Sequence, residues 1–156
     1  KRRFKFEQHM TCSELKSILP RDVYDNYTKI TIIRNPYDQA ISDYYDMKNR
    51  AEHEEVRDFD HYLEIRCEEF FKKNYEKFVI DKSIEANYIF KYENIHNEIK
   101  KFCENKNFPI QVIDDYNRFS IHSGINSKKV SLSPSQKIKI RKYASFFFEN
   151  FYQDLA

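Results

Sequence analysis

Glycine is almost missing from this chain. The 156 residues hold one, Gly124, where average usage of about 7% would give roughly ten. A glycine-rich phosphate loop therefore cannot exist within it. Cysteine is sparse as well: Cys12, Cys67 and Cys103 are odd in number, widely spaced and without a CxxC pair. That pattern argues against a disulfide scaffold or a zinc site, and the five histidines, His9, His53, His61, His96 and His122, add no metal-ligand spacing. No metal is expected. No apolar run approaches the roughly 20 residues that span a bilayer, and the basic start KRRFKF is not followed by the apolar stretch of a signal peptide. A dominant charge is lacking too, because 27 Lys and Arg against 25 Asp and Glu leave a net +2. No overall field points to nucleic acid or a membrane as partner. The length fits one domain, residues 1–156, with a core of its own and no room for a second.

What is present is organised around Lys29 to Tyr45, KITIIRNPYDQAISDYY. The run Ile30 to Ile33 predicts a strand buried on both faces of a parallel sheet. It stops at Arg34, after which Asn35 suits a helix cap and Pro36 a first helical turn. Tyr37, Ala40, Ile41, Tyr44 and Tyr45 then recur at the spacing of one buried helix face, with Asp38 and Ser42 off it. In open α/β sheets ligands bind beyond the carboxyl ends of strands, where helix N-termini attract anions. Arg34 stands at that point.

Elsewhere, Phe4 and Phe6 alternate with charged neighbours as in a short strand, and Thr11 and Glu14 have capping-box spacing ahead of a helix stopped by Pro20. Met47 to Arg57 is charged and aperiodic, and reads as a solvent-facing connection. Asp58 caps a predicted helix that runs to about Asn74. Phe78 to Ile80 predicts a small strand, and Tyr88 to Tyr92 a second strong one. It ends at Glu93, with Asn94 as the cap of a helix burying Ile95, Ile99, Phe102 and Cys103. Gln111 to Ser133 reads as a long polar loop. Ser133, Pro134 and Gln136 open a last helix whose buried face is Ile140, Tyr143, Ala144, Phe147, Phe148 and Phe151. Two strand-then-helix units joined by a helical crossover give the α/β class, a parallel sheet flanked by helices.

The segment RNPYDQAISDYY resembles the RNPxxRxxSxY motif of sulfotransferases that use 3′-phosphoadenosine 5′-phosphosulfate (PAPS). FEQHMTCSELKSILP is similar to the segment before the central strand in bacterial and carbohydrate-type members. FKYENI is similar to the family's strand ending in (R/K)YE(D/N)L, and INSKKVSLSPSQ to its closing loop. The resemblance covers most of the chain in the same order and spacing. It implies a P-loop NTPase-like sulfotransferase fold in which Arg34 and Ser42 bind the donor's 3′-phosphate. It also places His9 near the acceptor as general base, and Ser127, Lys128 and Lys129 in a loop closing over the phosphosulfate. The implied reaction moves a sulfuryl group to a hydroxyl or amine, of a carbohydrate acceptor by the branch resembled, and releases adenosine 3′,5′-bisphosphate (PAP). Glu93 could orient the Arg34 loop.

Two departures stand out. Gln39 occupies a position that is usually arginine, and nothing like the family's opening KxGTTS loop precedes Lys1. The expectation is a sulfotransferase-like domain that is incomplete at its N-terminus, without the fold's first strand and loop. The rival is a non-catalytic module of the same fold that holds a nucleotide, glycan or protein. Unpaired cysteines favour the cytoplasm, whereas a Golgi address would need an anchor ahead of Lys1. The loops Met47 to Arg57 and Gln111 to Ser127 do not name an acceptor, and nothing specifies an oligomeric state.

Overall fold

A computed structural model describes residues 9–49, 55–108 and 130–155. Among the described residues helices dominate a mixed α/β arrangement that contains one two-stranded parallel sheet and a separate short hairpin. The expected strand at Phe4 and Phe6 and most of the Gln111 to Ser133 loop lie outside the described residues.

Most of the local signals for helix starts are realised atom by atom. Helix α1 (Cys12–Ile18) opens on a capping box: Thr11 Oγ1 accepts the Glu14 N–H at 3.2 Å, and the Glu14 carboxylate accepts the Thr11 N–H at 2.7 Å. After the short α2 (Arg21–Asn26) comes β1 (Ile30–Ile33), then the long α3 (Pro36–Asn49). Asp58 caps α4 (Phe59–Ile65) by accepting the His61 N–H at 2.8 Å. Ser133 and Gln136 form the second capping box, ahead of α7 (Pro134–Tyr143).

Four expectations about the helices and their connections need correction. The single helix expected after Asp58 is two, α4 and α5 (Cys67–Glu76), broken at Arg66, whose φ of −130° leaves helical geometry. The last helix is likewise divided at Ala144 into α7 and α8 (Ser145–Phe151). The connection from Met47 to Arg57 is not uniformly solvent-facing, because Met47 ends the apolar face of α3 and Val56 joins the core. Asn94 precedes α6 (Ile95–Asn105) within a 3₁₀ turn, Tyr92–Asn94, but its side chain makes no cap to the helix backbone. Its Oδ1 accepts instead from Asn97 Nδ2 at 2.7 Å.

The parallel pairing joins β1 to β4 (Tyr88–Lys91) in the register Ile30 to Tyr88 through Ile33 to Lys91. Period-two alternation puts Thr31, Ile33, Ile89 and Lys91 on one face, and Ile33 and Ile89 there meet the main core. On the other face Phe102 of α6 packs edge-on against Tyr88 and Phe90. That helix covers β4 and leaves Ile30 and Ile32 46% and 49% exposed, so β1 is buried on one face and not two. Between the two strands in sequence comes the separate hairpin of β2 (Val79–Ile80) and β3 (Ser83–Ile84). Its turn residues Asp81 and Lys82 both take positive φ, the backbone demanded by a tight hairpin turn, here without glycine.

The main core is a helix cluster in which α7 packs on α3, α4 and α5. Tyr62, Leu63, Cys67, Phe71, Ile140 and Phe147 are its centre. The Tyr62 hydroxyl enters this core because it donates to Asp43 Oδ2 at 2.9 Å. Burial, then the Asp43 charge, pushes the Tyr62 phenol above its usual range, and the same two causes push the Cys67 thiol up to about 12. Both groups hold their protons to higher pH when folded than when unfolded. Their contribution is complete below the ordinary thiol value of 9.0 and is lost as pH rises toward the folded values. Half-buried Lys77 runs the other way, since burial lowers its pKa and its share grows as pH rises toward the ordinary 10.5. Two acids outweigh one base, so the urea midpoint is expected to be lower at about pH 11 than at about pH 8. A midpoint that rises over that interval would contradict this arrangement of the core.

Candidate functional site at the carboxyl end of the central strand

Buried Ile33 ends β1, and the chain turns at Arg34 into α3. Asn35 Oδ1 accepts the Tyr37 N–H at 2.9 Å, and the Asn35 carbonyl accepts the Gln39 N–H at 2.8 Å, which together start the helix as its residue type predicts. Pro36, buried in the first turn, lacks the N–H that would have no partner there. Arg34 therefore leaves the end of a strand two residues before the first residue of a 14-residue helix, at its positive end. Its guanidinium lies 5.0 Å from the Tyr92 ring centroid, within cation–π range. Ser42 is half-buried in the second turn of α3, four residues from Asp38 and so on the same side of the helix. Arg34 and Ser42 thus share one short strand–turn–helix unit.

Glu93 closes the site from the end of β4. One of its carboxylate oxygens accepts the Asn35 N–H, and the other accepts the Tyr152 hydroxyl at 2.9 Å. Two sequence-distant segments, RNP and YEN, are joined by this carboxylate. It also alters an expectation about chemistry. The Asn35 amide, a natural donor to an anion at a helix start, is already given to a carboxylate of the protein. The Asn35 N–H is therefore not available to an anion.

The surrounding charges are mixed. The Lys91 ammonium sits 4.7 Å from the Tyr152 ring centroid, while the Lys91 N–H donates to Glu98 Oε2 at 3.0 Å. Burial, then Glu93, and more weakly Glu98 and Asp38, raise the Tyr152 phenol above its usual range. It stays a hydrogen-bond donor at neutral pH. Gln39 Oε1 is buried without a hydrogen-bond partner among the described residues. A neutral acceptor therefore stands where the motif usually carries a cation.

His9 is exposed in a turn ahead of α1 with φ of 65°, a conformation that histidine adopts more readily than most residues. Its neighbour Met10 lines an apolar groove of about 320 Å³ beside Ile30 and Thr31, toward the opposite end of β1 from Arg34. Ser127, Lys128 and Lys129 lie outside the described residues. Lys91, Tyr92 and Tyr152 were not foreseen as parts of this site. Tyr92 and Lys91 could have been suspected from flanking Glu93, but Tyr152 follows the last aromatic of an apolar helix face and carries no signal of its own.

Among the described residues no group of three or more His, Cys, Asp or Glu side chains could hold a metal ion. No helix among them is long and apolar enough to cross a membrane. Comparison with protein-family models, curated proteins and solved structures finds no match to this chain.

Proposed function

We propose that this chain is a sulfotransferase domain of the P-loop-like type that binds PAPS and passes its sulfuryl group to a hydroxyl or amine, of a carbohydrate acceptor. The observation that carries the reading is the hydrogen bond from the Asn35 amide to Glu93. It joins the two segments with the strongest likeness to the family, at the carboxyl ends of two paired parallel strands. Arg34 supplies a fork of charged donors for the 3′-phosphate, and the Ser42 hydroxyl adds another. In the transfer, the acceptor oxygen or nitrogen forms a bond to sulfur as the bond from sulfur to the phosphate oxygen breaks. PAP leaves with the negative charge, His9 takes the acceptor proton, and Lys128 or Lys129 neutralises the leaving phosphate beside Ser127. The site would work in the cytoplasm.

A second reading, a binding module without turnover, draws on particular residues. Gln39 replaces a cation, the Asn35 amide is occupied, and Asp38, Glu93 and Glu98 set negative charge near the anion's position. The two are separated by incubating the full-length gene product with PAPS and a panel of oligosaccharides and following PAP release and acceptor sulfation. Acceptor-dependent release is the result expected of the enzyme. Affinity for PAP with no acceptor-dependent release would replace that reading with the module.

A further inference from the structure

The turn that carries Arg34 is held from outside by the C-terminal end of the described chain, along two separate routes. In the first, the Tyr152 hydroxyl donates to Glu93, whose other oxygen accepts the Asn35 N–H. In the second, the Arg141 guanidinium bridges from Nη2 to the Leu155 carbonyl and from Nε to the Tyr37 hydroxyl, each at 2.7 Å. The two routes end on Asn35 and Tyr37, the residues on either side of Pro36. We propose that the segment Tyr152 to Leu155 is a latch that positions the Arg34 turn, with Tyr152 as a positioning residue acting through Glu93.

A carboxylate with one oxygen free can rotate away from the amide it accepts. With one oxygen fixed by a phenol, the other is aimed. Tyr152 is only 6% exposed and has the Lys91 ammonium over its ring, so the phenol is itself held. Fixing the Asn35 N–H fixes the peptide plane between Arg34 and Asn35, from which the guanidinium projects. Ordering that backbone before a ligand arrives removes an entropic cost from binding. Tyr152 is not offered as a contact to the ligand, and it acts only through the turn.

The affinity part of the inference rests on the proposed role of Arg34, and the structural part does not. The test uses Tyr152→Phe, which keeps the ring and removes the hydroxyl, and Glu93→Gln, an exposed change that spares the core. In nucleotide-free protein, the Asn35 amide proton resonance is expected to lose its downfield displacement in both variants, and its hydrogen exchange is expected to quicken. PAP affinity is expected to fall by about three- to tenfold in Tyr152→Phe, which leaves the charge at the site unchanged, and the Asn35 amide of the double variant is expected to match that of Glu93→Gln alone, because the two residues act in series. An unchanged Asn35 amide in Tyr152→Phe would overturn the latch, as would wild-type PAP affinity in that variant. If wild-type protein bound no PAP, the phosphate reading of Arg34 would fail, while the amide resonance and exchange would still decide whether the latch exists.

Discussion

Arg34→Ala is expected to weaken PAP binding by about 10- to 100-fold, the loss that follows from removing charge-assisted hydrogen bonds to a phosphate. The fold should survive, because Arg34 lies at the rim of the site, against the half-exposed Tyr92 ring and outside the main core. The size of the effect follows from what surrounds the position. Glu93 occupies the Asn35 amide, and Gln39 offers no charge, so neither can take over the role of the guanidinium. Ser42→Ala should lower affinity less, since a neutral hydroxyl gives a weaker bond to an anion than a guanidinium does. Titration calorimetry with PAP, alongside a thermal melt of each variant, reads both properties. Equal PAP affinity in wild type and Arg34→Ala would remove Arg34 from the site.

The largest stability effect is expected at Phe71. Its ring is 1% exposed on α5 and contacts Phe147 of α8 at a centroid separation of 5.8 Å, with Phe70 beside it at 5.3 Å. Truncation to alanine removes most of the side chain from the place where helices from both halves of the chain meet. Core Phe→Ala changes cost about 3–5 kcal/mol, a large part of the 5–15 kcal/mol by which domains are stable. Neighbouring rings cannot close the gap without leaving their own packed positions. Denaturant unfolding of Phe71→Ala should show a much lower midpoint at an unchanged slope. A loss below about 1 kcal/mol would mean that this ring is not at the centre of the core.

How legible the molecule is in its sequence depends on the range of the interaction. Both capping boxes, the Asp58 cap, the Asn35 cap and strand β1 are written in three or four neighbouring residues, and the structure carries each of them. The breaks at Arg66 and Ala144 are not, because no glycine or proline marks them and the apolar period runs on across both. At both bends the helices on either side pack against one another, α4 on α5 and α7 on α8, contacts that no short run of sequence announces. The exposed Ile30 and Ile32 mislead for a related reason. An apolar run states that a strand can be buried on both faces, not which neighbours cover it. Scarcity of glycine had a visible consequence, in that His9, Asp81, Lys82 and Asn107 take the positive φ values that glycine would otherwise provide. At the site, the place of Arg34 at a strand end was readable from the residues, its pairing with Ser42 came only from the resemblance, and the expectation that Glu93 could orient the Arg34 loop agrees with its bond to Asn35. The Tyr152 hydroxyl reaches Glu93 across 59 residues of sequence, and only the folded chain brings them together.

The most direct measurement is a pair of calorimetric titrations of the unmodified chain, one with PAP and one with adenosine 5′-monophosphate. The two ligands differ by the 3′-phosphate alone, the group assigned to Arg34 and Ser42. The account predicts that PAP binds and that the monophosphate binds at least about tenfold more weakly. Equal affinities, or binding of neither, would contradict a 3′-phosphate site at the end of β1.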